Sequence, residues 1–389
     1  MKKYFLVLIG IAILLTSCSV FNSGDSLSPK AKRALRNGNI YFSQQLLERS
    51  EGFFNEVLEE YPNHLETNKK IADIKFFNAE NNDRIAYQSY LEAFDKYQIV
   101  YDLLKDVDRQ DMSRDERRWY KDTRKKIDSI NARILILANK EYDTYLNEGI
   151  GNLDEIIAKY HKLISLDPDN IDPYRFLTSI LNNEKNILLN SENPDEFKIL
   201  NLDNDILNMF SQWVRIEPKN IEYRAQYARQ LYVMERYTAA AEQFSILIQN
   251  DPYNYDHYDL YATTVEAQGD YQAAFDKMLL ANNNIPENVN VLQALVFYSD
   301  KLENDEAYIE YSKQLIDLEA SPENLKNFSY YLAKNEMFED LLVYAEKWFV
   351  ADRENRVPAQ LAALAAQKLK NTNKYQYYAK KYQELTNAN

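Results

Sequence analysis

From about Lys30 onward, apolar residues recur three and four positions apart, with breaks every 12 to 20 residues. That period predicts a chain of amphipathic helices joined by short turns. The breaks are themselves ordered. Pro218, Pro252 and Pro286 stand 34 residues apart, and one template fills both intervals, residues 221–254 and 255–288. Its eighth and twentieth positions are small: Ala228 and Ala240, then Ala262 and Ala274. Its seventh, eleventh, seventeenth and twenty-fourth positions are large and apolar: Tyr227, Leu231, Tyr237 and Phe244, then Tyr261, Val265, Tyr271 and Met278. Gly269 falls where a left-handed residue would end the first helix of a pair. Pro252 and Pro286 close the second helices, because proline lacks the amide that helix continuation needs. Asn254 and Asn288 end the units.

Thirty-four residues make one helix–turn–helix unit in an array of stacked helical hairpins. On these residues the chain resembles the tetratricopeptide repeat (TPR) family, whose small positions mark where the two helices of a hairpin cross closely. The resemblance implies an all-α fold, a right-handed superhelical solenoid of stacked hairpins. Other stretches follow the template more loosely. Counting back from Pro168 starts a unit at Leu137, with Gly151 at its turn, Ile156, Tyr160 and Leu163 on its second helix, and Asp143 where a large apolar residue is wanted. A unit from Pro322 places Phe328, Ser329, Leu332, Phe338, Leu341, Ala345 and Trp348 in template positions; one from Ala359 places Ala365, Ala366, Leu369, Tyr375, Tyr378 and Tyr382. Pro62 closes a hairpin holding Phe54, Val57 and Leu58. The predicted organisation is divergent helical repeats over 30–139, TPR-like repeats over 140–220 with an inserted loop near 186–205, and a TPR array over 221–389. About ten hairpins are expected, three units plus four residues lying between Pro62 and Pro168.

The N-terminus supplies an address. Lys2 and Lys3 precede an apolar stretch from Tyr4 to Leu15, the layout of a secretory signal and too short to span a bilayer. It ends in Leu15-Thr16-Ser17-Cys18, which resembles the lipobox of bacterial lipoproteins and implies a signal peptide over 1–17 with lipid on Cys18, the single cysteine of the chain. Residues 18–29, rich in Ser, Asn and Gly, read as a lipidated Cys followed by a flexible tether. With Ser19 after the cysteine, where an Asp would signal retention at the inner membrane, the expected site is the outer membrane, facing the periplasm.

Composition narrows the chemistry. Seven glycines in 389 residues, against a typical 7 %, argue against phosphate-cradling loops and against sheets with many tight turns. A formal charge of −14 repels nucleic acid. His64, His161 and His257 have no partners at metal-ligand spacing, so no metal, no cofactor and no catalytic residue is expected, and turn positions suffice for His64 and His257. Gly149-Ile150-Gly151 lacks the strand and third glycine of a dinucleotide loop and reads as a turn. The basic stretch 114–133 opens with a capping-box sequence at Ser113 and mixes its charges three and four apart, as a solvated helix does.

The TPR resemblance directs attention to the first helix of each pair, whose second, fifth, ninth, twelfth and thirteenth positions commonly face a ligand on the concave side. Here it implies Glu222, Ala225, Arg229, Tyr232 and Val233, then Asp256, Asp259, Thr263, Glu266 and Ala267, then Asn290, Gln293, Phe297, Asp300 and Lys301. Arg229, Tyr232, Thr263, Glu266, Phe297 and Asp300 are the partner-binding candidates, and Tyr232 and Phe297 as exposed aromatics carry most of that weight. The acids at 256, 259 and 266 would repel a carboxylate, which disfavours the chaperone-tail clamp found in part of the family. The resulting expectation is a non-enzymatic, membrane-anchored scaffold that binds a protein or peptide partner in the cell envelope and assists assembly of a complex there. The alternative is a glycan-binding or nutrient-uptake surface lipoprotein, which would need exposed Trp and Tyr platforms. Of the three tryptophans, Trp213 and Trp348 fall at core positions of second helices.

Overall fold

The computed structural model describes residues 27–388; Cys18 and the predicted signal segment lie outside them. Among the described residues there are 18 α-helices and no strand. Two compact units divide the chain between Leu177 and Thr178.

The first unit contains α1 (Pro29–Ser43), α2 (Leu47–Glu60), α3 (Leu65–Asn81), α4 (Ala86–Leu104), α5 (Arg114–Glu148) and α6 (Leu153–Leu166), each packed on the next; α7 (Ile171–Leu189) carries the boundary. Ser28 caps α1 by accepting a hydrogen bond from the Ala31 amide, and Pro29 takes the first helical position, where its missing amide costs nothing. The α1–α2 pair crosses so closely that a Cβ on Gly38 would lie 2.5 Å from the Phe54 ring, and Ser50 Oγ donates to the Gly38 carbonyl at 2.9 Å. The turn between them passes through Gln45 at φ 60°. Gly38, Gln45, Ser50 and Pro62 are therefore the eighth, fifteenth, twentieth and thirty-second residues of a hairpin that follows the 34-residue template.

The second unit continues with α8 (Glu196–Ile216), α9 (Ile221–Val233), α10 (Tyr237–Asn250), α11 (Tyr255–Glu266), α12 (Tyr271–Asn284), α13 (Val289–Lys301), α14 (Asp305–Leu318), α15 (Pro322–Lys334), α16 (Phe338–Ala351), α17 (Arg356–Lys368) and α18 (Thr372–Ala388). From α8 on, each helix packs on its successor. Ala228, Ala240, Ala262 and Ala274 are buried at the crossings, and Phe244, Met278 and Leu295 fill the space between hairpins without exposure. Fully burying a side chain of that size contributes roughly 1.5–3 kcal/mol. Asn220, Asn254 and Asn288, 34 residues apart, close each unit by capping the next one: their side chains accept from the amides of Tyr223, Asp256 and Val291.

The clearest repeat lies in the backbone. Glu235, Gly269, Glu303, Glu336 and Lys370 all have φ between 53° and 79° and sit in the turn between the two helices of a hairpin. Their spacings are 34, 34, 33 and 34 residues, so the array runs in register from α9 to α18 with one deletion. Only one of the five is glycine.

Three expectations need correction. The unit counted from Leu137 keeps its turn at Gly151 and its second helix, α6, with Ile156, Tyr160 and Leu163 buried, but no separate first helix starts at Leu137. That residue lies inside α5, a helix of 35 residues that begins with a complete Ser113/Glu116 capping box, meets no Gly or Pro, and stops only at Gly149 in the left-handed conformation. The interval from Pro62 to Pro168 thus holds four helices where three regular hairpins would need six, and the 18 helices make nine sequential pairs. The extra residues after Pro168 do not form a loop over 186–205. Residues 190–195 connect α7 to α8, and the surplus lengthens those helices to 19 and 21 residues. The last unit begins at Arg356, not Ala359, because Lys370 fixes its turn and Asn355 caps α17; Tyr375 and Tyr377 are consequently exposed on α18.

Candidate functional site

On the first helices of the second unit's regular hairpins, α9, α11, α13 and α15, tyrosines tie neighbouring elements together through carboxylates. The Tyr298 phenol on α13 donates to Glu266 Oε2 on α11 at 3.0 Å. Tyr331 on α15 stacks on Tyr308 of α14 at 4.0 Å between ring centroids and donates to Asp305. Tyr255, at the start of α11, donates to Asp259 one turn on, at 3.1 Å. Burial first, then the adjacent carboxylates, hold the phenols of Tyr255, Tyr298 and Tyr331 well above the usual tyrosine range. They are therefore neutral donors through the physiological range, and each occupies one carboxylate.

The six candidate residues fall on these helices in different states. Phe297 is 42 % exposed, edge-on to Tyr298 at 5.1 Å, with Lys301 Nζ 5.3 Å from its ring centre. Arg229, Thr263 and Asp300 are exposed. Glu266 is half-buried and committed to Tyr298. Tyr232 is half-buried too: it packs against the α9–α10 core and meets Tyr237 edge-on at 5.6 Å. Ala225 is buried in that core, so the fifth template position of this unit does not reach the surface. The same first helices carry exposed acids, Asp256 and Asp259 on α11 and Asp300 on α13.

The remaining sequence candidates resolve into structural roles. His64 caps α3: its Nδ1 accepts from the Thr67 amide. His257 is buried in the first turn of α11, its Nε2 3.7 Å from Asp251 Oδ2, and burial lowers its pKa. His161 is exposed on α6. Among the described residues no group of three His, Cys, Asp or Glu side chains could hold a metal ion, and no helix is long and apolar enough to cross a membrane. The tryptophans are buried or half-buried, Trp213 meeting Phe210 and Tyr223 edge-on. On α5 the acids are partly occupied, Asp115 by Arg118, Glu116 by the cap and Asp122 by buried Lys69, while Arg117, Arg118 and Lys121 point outward.

Two features had no clear sequence signal. The end of the α7–α8 hairpin exposes Ile187, Leu189, Phe197 and Leu200, the last two by 73 % and 53 %. A groove of ≈ 560 Å³ runs between α10 and α11, lined by Glu242, Ser245, Ile246, Tyr261 and Gln268 among others. At its edge Lys277 Nζ lies 3.4 Å from Ser245 Oγ and 4.4 Å from the Tyr261 ring centre; burial lowers its pKa.

No protein-family model and no curated protein sequence matches the chain. Among solved structures it is similar to YrrB, described as a TPR protein with an unusual peptide-binding site, at 16 % identity and a TM-score of 0.35, covering 45 % of this chain and 91 % of that one. It is similar to MamA at 15 % identity and a TM-score of 0.32, covering 46 % and 94 %. It is also similar to PilF of Pseudomonas aeruginosa at 15 % identity and a TM-score of 0.31, covering 54 % and 97 %.

Proposed function

We propose that this chain is a non-enzymatic helical-repeat scaffold, held by lipid on Cys18 at the periplasmic side of a bacterial outer membrane, that captures a protein or peptide segment on the first-helix face of its second unit. The observation that carries the capture is Phe297. A large aromatic stands exposed on a rigid helix, braced edge-on by Tyr298, with Lys301 Nζ 5.3 Å from its ring centre and exposed Asp300 on the same helix. An apolar anchor inside a charged rim is the arrangement of an interface hot spot. The scaffold side is already ordered by its packing, so little further freedom is lost on binding. The anchor rests on the lipobox-like Leu15-Thr16-Ser17-Cys18 alone; two or three acyl chains at that cysteine would give stable attachment where one would not.

Crosslinking followed by pull-down from native membranes, comparing wild type with Phe297→Ala and Asp300→Lys, tests the capture. Both positions are exposed, so the fold should persist while the partner is recovered about tenfold less efficiently, the loss of roughly 1.4 kcal/mol. An unchanged set of crosslinked proteins would reject this face. Incorporation of labelled palmitate into wild type, lost in Cys18→Ala, tests the anchor separately.

A further inference from the structure

In a chain with 60 acidic residues, α1 has none over its 15 positions and carries Lys30, Lys32, Arg33 and Arg36. All four are exposed. The helix turns Ala31, Ala34 and Gly38 into the α1–α2 contact. At 3.6 residues per turn, Lys32, Arg33, Arg36 and Ile40 then project from the opposite side. Lys32, Leu35, Arg36, Asn39, Ile40 and Ser43 line an open groove of ≈ 470 Å³ along that side. Ile40 is 44 % exposed there. The neighbouring acids are directed elsewhere: Glu60 accepts from Ser28 and lies 3.7 Å from Lys30, and Glu66 accepts from Asn39. Neither Arg33 nor Arg36 forms an ion pair among the described residues.

The position of α1 in the chain matters as much as its charge. Ten residues lie between Cys18 and Pro29, and a Ser/Gly-type linker of those eleven steps has an r.m.s. reach of about 18 Å. A lipid on Cys18 would hold α1 at about that r.m.s. distance from the headgroups. We propose that the outward face of α1 is a docking surface for anionic phospholipid headgroups. Arg33 and Arg36 meet the phosphates, and exposed Ile40 covers the glycerol and first methylenes. The inference rests on the lipid-anchor reading for bringing α1 to the membrane, but the surface belongs to the protein and acts without the acyl chains. A cationic, outward helix face fits an extended anionic plane. Lipid and charge together give the two signals that stable, oriented membrane attachment requires.

The test uses the chain from residue 18 on, which keeps every described residue, with Cys18→Ser so that no acyl chain contributes. Co-sedimentation is measured with phosphatidylcholine vesicles, with and without about 30 % phosphatidylglycerol, at low and high salt. Binding to the anionic vesicles alone, lost at high salt, is expected. At about fivefold per cation, Arg33→Gln/Arg36→Gln should weaken it about 25-fold with unchanged helicity, while Arg33→Lys/Arg36→Lys retains it. The matched pair Arg117→Gln/Arg118→Gln on α5 should bind as wild type. Equal binding to neutral vesicles, no binding to anionic ones, or a loss that follows the α5 pair would overturn the proposal. The palmitate label on the natural chain reads the anchor independently, so failure of the surface and failure of the anchor are distinguishable.

Discussion

Gly38 sits in the middle of α1, where glycine costs about 1 kcal/mol relative to alanine. Replacing it with alanine would ordinarily stabilise the helix by that amount. Here the new Cβ would lie 2.5 Å and 2.6 Å from two carbons of the Phe54 ring, whereas carbon atoms pack best at about 3.5–4.0 Å. The ring would have to withdraw by about 1 Å. Phe54 is fully buried, and the Ser50–Gly38 hydrogen bond pins the two helices at their crossing, so there is little room to yield. Overpacking of this kind costs about 1–3 kcal/mol, and a contact this short belongs in the upper part of that range. Gly38→Ala should therefore destabilise α1–α2 by about 1–2 kcal/mol net of the helix-propensity gain. In a Phe54→Ala background both clashing carbons are gone, and the same substitution should become neutral or stabilising by up to about 1 kcal/mol. Repeat arrays open piecewise, so the readout is hydrogen exchange of the α1 and α2 amides across a urea series. A stabilising Gly38→Ala in the wild-type chain, or equal effects in both backgrounds, would refute the crossing geometry as the reason for this glycine.

Two further expectations concern the turns and the tyrosines. Gly269→Ala forces a Cβ into the left-handed region and should lower the thermal stability of the second unit by about 1 kcal/mol, whereas Glu303→Gly relieves that strain and should raise it by up to about 1 kcal/mol after the glycine's unfolded-state entropy is counted; equal effects at the two positions would show that the turn conformation does not matter. The phenols of Tyr298 and Tyr331 are held far above their ordinary value, and Tyr378 is pushed up to about 12, by burial and by the Glu266, Asp305 and Glu346 carboxylates beside them. A raised pKa means that the folded state favours the neutral phenol, so this stability is complete below pH 10 and is lost as pH rises from about 10 through the folded values. Urea midpoints should be flat between pH 7 and about 9.5 and fall above 10, and Tyr298→Phe should flatten part of that fall; a midpoint that rises with alkali would contradict the assignment.

The regular centre of the array was legible because its template positions hold residue types that can serve only one purpose. Alanine at 228, 240, 262 and 274 permits a close helix crossing, and all four are buried there. The same crossing at α1–α2 escaped notice because glycine and serine, at 38 and 50, replace alanine, and glycine inside a helix reads as a weakness. The turns were harder still. Five of the six left-handed residues from α9 to α18 are Glu or Lys, so side-chain identity announced only Gly269. The length of α5 was marked by what is missing, the absence of any Gly or Pro between 114 and 148, and a template imposed on that stretch cut a continuous helix in two. For the candidate site, spacing found the face but could not separate exposed Phe297 from half-buried Tyr232, since both are aromatic and both sit on first helices. That distinction depends on how Tyr237 and the α9–α10 core close over one ring and not the other.

The 31 tyrosines acquire a physical purpose from the same contacts. A buried phenylalanine would supply the apolar wall equally well, but its packing is non-directional, and a hairpin could slip along its neighbour at small cost. A phenol adds one hydrogen bond that must reach a particular acceptor, because an unpaired buried hydroxyl costs about 1–3 kcal/mol. Tyr298 to Glu266 spans consecutive hairpins, and Tyr97 to Asp73 and Tyr90 to Glu80 tie α4 to α3 in the first unit. The pairs therefore fix register where small apolar residues only permit contact. They also sort the acids of the first-helix face. Asp259 and Glu266 are taken by phenols, whereas the carboxylates of Asp256 and Asp300 make no hydrogen bond or ion pair among the described residues. Those two are the acids left to a partner, Asp300 on the same helix as exposed Phe297, so reversing the charge at 300 should affect binding with little effect on folding, and removing Glu266 should do the opposite.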